Sequence, residues 1–373
     1  MSKNIQCSRQ EVLIQRKSYR RSIKDSEAIG SLSVNTLTVA ETCDRMLARV
    51  AAHADKLLDQ GGRQMHITEA RAHFPAAEEY VYLNNASRSV LPRETIEAMT
   101  RYLSFCPRQE MEKSPEFAGL LSEVRSQIGE LLNAHTSEIA LSWNTSVPLN
   151  IVAQGLPLVP GDRVIVGRSE FPANLYVWEN LRRKGAEVTV LPPGQGFTTA
   201  ADVREALDAR TKIVAVSFVA FHNGYRAELE EMGELCKKVG ALLVVDAIQG
   251  VGAIELDVKK CGAGVVACGG QKWLLAPFGT GFLYCSKELI GSVWPLFAGW
   301  LSVKDIDRAF NHVTGIPFVL AEDARRFEIG TLAYHDIAGF RESLRIILSV
   351  GVREIERHIF TLLDGLIEEL KRL

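Results

Sequence analysis

The sequence predicts an α/β fold built on a largely parallel sheet wrapped by helices. The main observation is an alternation: short apolar runs recur through the middle of the chain, and helical patterns separate them. The second is size. With 373 residues, 47% of them hydrophobic and 24% charged, the chain can bury the core of one large domain plus something smaller.

The runs come in order. RVIVG precedes a helical pattern through Trp178, AEVTVL precedes a helix from Thr199, and KIVAVSFV precedes a helix from Leu229; ALLVVD, GVVAC and GFLYC complete the set. Upstream, residues 1 to about 36 are polar, with a basic stretch from Arg16 to Lys24, and read as a flexible extension. Apolar residues at helical spacing from Thr38 to Leu58, stopped by Gln60-Gly61-Gly62, predict one amphipathic helix. Downstream, Ile337 to Leu373 reads as two helices with Gly351 between them. The expected organisation is an extension over residues 1–63, a large domain over 64–330, and a further segment over 331–373.

Charge and composition narrow the function. A net charge of −2 and a sequence pI near 6.5 give no general attraction to nucleic acid or to an anionic membrane, so small-molecule chemistry is expected. No apolar run reaches the roughly 18–20 residues of a membrane span, and the start MSKNIQCSRQ lacks a secretory core. A cytoplasmic protein is expected. The 7 cysteines show no metal-binding spacing and read as mostly reduced, buried fillers, so no metal is predicted. No GxGxxG follows a strand, Lys272 is followed by Trp273 rather than the Ser or Thr of a P-loop, and there is no GxSxG elbow.

In open parallel sheets, ligands sit beyond the carboxyl ends of the strands. Asp246 follows ALLVV there, and Lys272 comes shortly after GVVAC. An amine, an acid and a nearby anion cradle are what pyridoxal phosphate (PLP) needs. Lys272 would hold its aldehyde as a Schiff base, and Asp246 would face its ring nitrogen and keep it protonated. Taken singly, a surface lysine and a helix-capping aspartate are the plainer readings; together with the APFGTG turn, the pair favours function. In LSWNTSVPLN, Asn144, Thr145 and Ser146 stand between a short strand and a helical pattern, where hydroxyls and backbone N–H groups hold a phosphate or simply cap the helix. Gln249 is placed to reach the cofactor's phenolic oxygen. His222 and His335 read as structural or solvated.

At these residues the chain resembles the class V aminotransferase family of PLP enzymes, which includes cysteine desulfurases, selenocysteine lyases, isopenicillin-N-epimerase-like proteins and kynureninases. The resemblance runs from about Ile67 onward. FPAAEEYVYLNNAS is similar to the family's first strand and substrate-side turn, which implies substrate contacts at Asn85 and Ala86. In SEFPANLYVW, Phe171 takes the place of the ring that stacks on the cofactor. SFVAFHNGYRAEL, VDAIQ and QKW follow in order, bringing Gln271 and Lys272 to the cofactor. RFEIGT resembles the segment whose Gly330-Thr331 reaches the phosphate of the partner subunit in a homodimer. The implied fold is the type I fold of PLP-dependent transferases: a mostly parallel seven-stranded sheet with helices on both faces, plus a small C-terminal domain that is incomplete and apparently truncated after residues 331–373.

The resemblance also has departures. Gly269-Gly270-Gln271-Lys272 stands where desulfurases usually read Ser-Gly-His-Lys, Phe171 stands where histidine is usual, and Phe221 where asparagine is common. No cysteine follows Cys285, whereas desulfurases need a nucleophilic one in that region. The expected function is therefore PLP chemistry at the amino group or α-carbon of an amino acid. Cysteine desulfurase or selenocysteine lyase activity is one alternative, and a PLP-fold binding protein without catalysis is another.

Overall fold

Six of seven strands in a single sheet run the same way. In the computed structural model these are β1 (Ile139–Ser142), β2 (Arg163–Val166), β3 (Glu187–Val190), β4 (Thr211–Ser217), β5 (Leu242–Asp246), β6 (Val265–Gly269) and β7 (Gly281–Cys285), in the spatial order β1-β7-β6-β5-β4-β2-β3. Only β7 is antiparallel to its neighbours, β6 and β1. The carboxyl ends of the other six and the start of β7 therefore meet at one edge of the sheet. The structure describes residues 65–105, 117, 119–192, 194, 196–304 and 317–372. The extension and helix expected over residues 1–63 lie outside the described residues.

All six apolar runs form strands, and side-chain alternation explains their unbroken hydrophobicity. Val214, Val216, Leu243, Val245, Val266 and Phe282 pack into one cluster, while Ile213, Ala215, Val244, Val265, Ala267 and Leu283 pack into a second. The first cluster is covered by α1 (Arg93–Phe105), α2 (Leu120–Leu132), α5 (Ala200–Ala206), α6 (Leu229–Val239) and α7 (Tyr334–Val350). The second is covered by α3 (Ser146–Gly155) and α4 (Pro172–Glu179). Thr199 starts α5 as expected, in a capping box with Asp202. Gly351 separates α7 from α8 (Val352–Leu370).

Residues 59–361 cluster as one compact unit that includes α7, which packs on α1 and α2. Residues 362–372 hold the last turns of α8 and carry the pairs Glu368–Lys371 and Glu369–Arg372.

One expectation is corrected. YVYLNN is not a strand: it has no strand partner among the described residues, and Tyr80, Val81 and Leu83 are 54%, 65% and 76% exposed. A short apolar run with no neighbouring surface to cover has nothing to drive pairing. Instead the chain turns, with Ser87 N donating to Asn84 O at 3.0 Å.

A buried ion pair fixes the far side of the sheet edge. Arg125 on α2 donates to Glu328 through Nε at 3.0 Å and Nη2 at 2.8 and 2.7 Å, and Leu141 N of β1 donates to the same carboxylate at 2.8 Å. This pins the segment that continues into Gly330 and Thr331.

Candidate active site

Asp246 closes β5 and is buried, 2% exposed. It does not cap a helix: the chain turns after it, and Ile248 N donates to its Oδ1 at 3.1 Å. Among the described residues no hydrogen bond reaches its Oδ2. Burial pushes its carboxyl up to about 7; the Ile248 N–H pulls it back, Glu170 adds to the rise and Lys272 opposes it.

Lys272 sits in a loop closed on itself. Gly270 N donates to Thr280 O at 2.9 Å, Ala276 N to Gly270 O at 3.0 Å, and Leu275 N to Lys272 O at 3.1 Å. The neighbours of Lys272 are tied outward: Ser89 N donates to Gln271 O at 2.9 Å, and Trp273 Nε1 to Gln249 Oε1 at 3.0 Å. Burial lowers the Lys272 amine from its ordinary value, against the pull of Asp246 and the Cys268 thiol, so more of it is neutral and nucleophilic. Its Nζ lies 5.7 Å from the centre of the Phe171 ring.

Several expected residues converge here. Gln249 Nε2 donates to Ala86 O at 2.9 Å, so Gln249 links the Asn85–Ala86 turn to Trp273; both ends of its amide have protein partners. Phe171 precedes α4 with its ring 45% exposed, edge-to-face with Phe221 at 5.3 Å. His222 adjoins Phe221, but its Nε2 is committed to Gly196 O at 2.7 Å. Thr145 is buried and its Oγ1 accepts from Gly269 N at 3.0 Å, which leaves the hydroxyl proton to donate. Asn144 plays the plainer part: its Oδ1 accepts from Val147 N at 3.0 Å, capping α3, where Ser146 is the first residue. No hydrogen bond joins Gly330 or Thr331 to Asp246, Lys272 or Thr145 among the described residues.

Sequence reasoning missed Glu170, Ser217 and Asn174. Ser217 ends β4 as the register partner of Asp246, and Glu170 hydrogen-bonds both Ser217 and Asn174. The signal available was slight, an acid just ahead of Phe171 in SEFPAN.

A family model for aminotransferase class-V matches residues 81–373. The chain belongs to the aminotransferase class-V family. A probable cysteine desulfurase of Methanothermobacter thermautotrophicus is 32% identical over 299 residues, covering 79% of this chain and 73% of that protein. Another probable cysteine desulfurase, from Pyrococcus abyssi, is 31% identical over 313 residues, covering 82% and 76%. Among solved structures, the apo cysteine desulfurase from Thermococcus onnurineus matches with a TM-score of 0.70 and 28% identity, over 80% of this chain and 74% of that one. As a class-V member the chain is a PLP-dependent enzyme.

The residues present fit that cofactor. A buried acid with an open oxygen, a lysine with a lowered pKa and an exposed aromatic ring share one sheet edge with the start of α3. There a Cβ on Gly281 would stand 2.6 Å from Cys268 O and 3.3 Å from Asn144 N, so the close approach of β6, β7 and the start of α3 requires glycine. The side-chain oxygens of Ser142 and Gln271 are buried without a hydrogen-bond partner among the described residues. No cluster of metal-ligating residues occurs among the described residues, and no described helix is long and apolar enough to cross a membrane.

The raised Asp246 predicts how the cofactor-free protein responds to pH. Folding lifts this carboxyl from its ordinary 3.8 to about 7, so the native state binds the extra proton and stability falls as pH rises through that window. The slope reaches at most about 1.4 kcal/mol per pH unit. Thermal melts of wild type and Asp246→Asn across the window check this: wild type should lose stability relative to the non-titrating variant steadily from acid to neutral pH.

Proposed function

We propose that this enzyme acts on the amino group or α-carbon of an amino acid, with Lys272 and Asp246 as its catalytic pair. The observation that carries the reading is the buried Asp246 with its open Oδ2 at the same strand edge as the half-buried, pKa-lowered Lys272. When bound, the cofactor supplies an electron sink for the bonding pair released at the substrate α-carbon. Asp246 balances the charge of its ring nitrogen. Lys272 would hold the cofactor through its aldehyde, and its amine is the base placed to take and return the α-proton. Phe171 offers a ring face, and Thr145, Ser146 and the start of α3 offer donors to the phosphate. Gln271 contributes its amide, and Asn85 and Ala86 border the substrate.

Phe171 and Phe221 cannot carry protons, and His222 is turned to Gly196. Proton handling at the α-carbon therefore falls to Lys272. We further infer a cytoplasmic homodimer in which Gly330 and Thr331 of one protomer reach the phosphate held by the other. The four cysteines among the described residues are free and buried, which supports a reducing compartment, and the resemblance supports the dimer.

The relatives named as probable cysteine desulfurases favour a second reading, removal of sulfur from cysteine. Incubation of the PLP-loaded protein with single L-amino acids, cysteine plus a thiol reductant among them, tests both. Keto acid formation supports the first reading, and alanine with sulfide the second. No turnover of any amino acid would remove both.

A further inference from the structure

Glu170 lies just before Phe171 in the loop from β2 to α4, and the chemistry assigned above does not use it. Its carboxyl group is gripped from both sides. Ser217 N donates to Oε1 at 2.8 Å, Asn174 Nδ2 donates to Oε2 at 2.9 Å, and the Ser217 hydroxyl makes a short contact with Oε2. Asn174 is itself buried and oriented, its Oδ1 accepting from Trp178 Nε1 at 3.0 Å. Each oxygen thus faces an N–H donor. A glutamine would set N–H against N–H at one of them, so the site selects a carboxyl group.

The backbone is shaped around this group. A Cβ on Gly167 would stand 2.6 Å from Glu170 Oε1, and Ser169 adopts a left-handed φ of 54° to deliver the side chain inward. Ser217 pairs in register with Asp246 across β4 and β5. One side chain therefore ties the loop that ends in Phe171 to the strand end that adjoins Asp246.

We propose that Glu170 is a positioning residue of the active site, which by holding Ser217 and Asn174 together fixes Phe171 beside Lys272 and sets the surroundings of Asp246. This rests on the reading of Lys272 and Asp246 as the cofactor-holding pair. The carboxyl also places a like charge near Asp246. Burial raises Glu170 from its ordinary value, against the hydrogen bonds of Ser217 and Asn174 and the nearby His222. Lys272 and His222 are the basic groups on this side, and Cys268 adds a thiol that burial pushes well up. Arg168 is engaged by Asp202 at 2.6 Å, and Tyr225 by Glu228 at 2.7 Å.

The test uses the full chain loaded with PLP and reads induced circular dichroism in the cofactor's visible band and the rate of cofactor release. Glu170→Gln and Glu170→Ala are expected to lose about half or more of the ellipticity and to release cofactor about tenfold faster. In cofactor-free melts both should also move the Asp246-dependent midpoint down by about one pH unit, because a neighbouring like charge has gone. Asn174→Ala, which loosens the grip but keeps the charge, should lower ellipticity without moving that midpoint. If the Glu170 variants do not fold, Gly167→Ala, which crowds the carboxyl in place, should reproduce the ellipticity loss. Wild-type ellipticity, release and midpoint in these variants, beside an intact Lys272-dependent band, would overturn the proposal alone. A wild-type protein with no such band overturns the underlying reading and the proposal with it.

Discussion

Lys272→Ala is expected to abolish turnover, lowering kcat by at least about 10⁴-fold, and to leave any bound cofactor free to exchange. The size follows from the surroundings. Lys272 supplies both the amine that holds the aldehyde and the base that moves the α-proton, and its burial keeps that amine closer to neutrality than an exposed lysine. No neighbour stands in for it: Phe171 and Phe221 are apolar, His222 is bonded to Gly196 O, and the Cys268 thiol is pushed far up by burial. Turnover assays beside visible absorbance check the prediction. The protein should still fold, because the loop is closed by backbone hydrogen bonds from Gly270, Leu275 and Ala276 rather than by the lysine side chain.

The second large effect falls on stability. Arg125→Ala should destabilise the fold by about 3–5 kcal/mol, because it leaves the Glu328 carboxylate, 2% exposed, with its charge unpaired. In thermal unfolding this corresponds to a fall in Tm of roughly 4–6 °C for a chain of this size. The damage should also reach the segment that follows Glu328, since Ser302 Oγ donates to Glu328 O at 2.7 Å and Leu141 N to its side chain. Arg125→Met combined with Glu328→Gln removes both charges and keeps an acceptor for Leu141 N, so it should recover much of the loss. Calorimetry of the single and double variants makes the comparison.

The strands and the placement of Asp246 and Lys272 beyond strand ends were readable in the sequence because their signals are local. Apolar runs buried on both faces stay apolar along their length; Asp246 directly follows one such run and Lys272 comes shortly after another. What stayed hidden is carried by pairs far apart in the chain. Arg125 meets Glu328 across 203 residues and Glu170 meets Ser217 across 47, and no spacing rule announces either. Gln249 was legible as a residue near Asp246 but not as the bridge between Ala86 and Trp273, which requires three segments to be folded together. YVYLNN, expected as a strand from the family resemblance, has no strand partner among the described residues and leaves Tyr80, Val81 and Leu83 exposed.

The most direct test of the central claim is borohydride reduction of the protein incubated with PLP, followed by digestion and mapping of the labelled peptide. A single modified lysine is expected at Lys272, within CGGQKWLLAPFGTG, and none at that peptide in Lys272→Ala. Label at another lysine, or none, would contradict it.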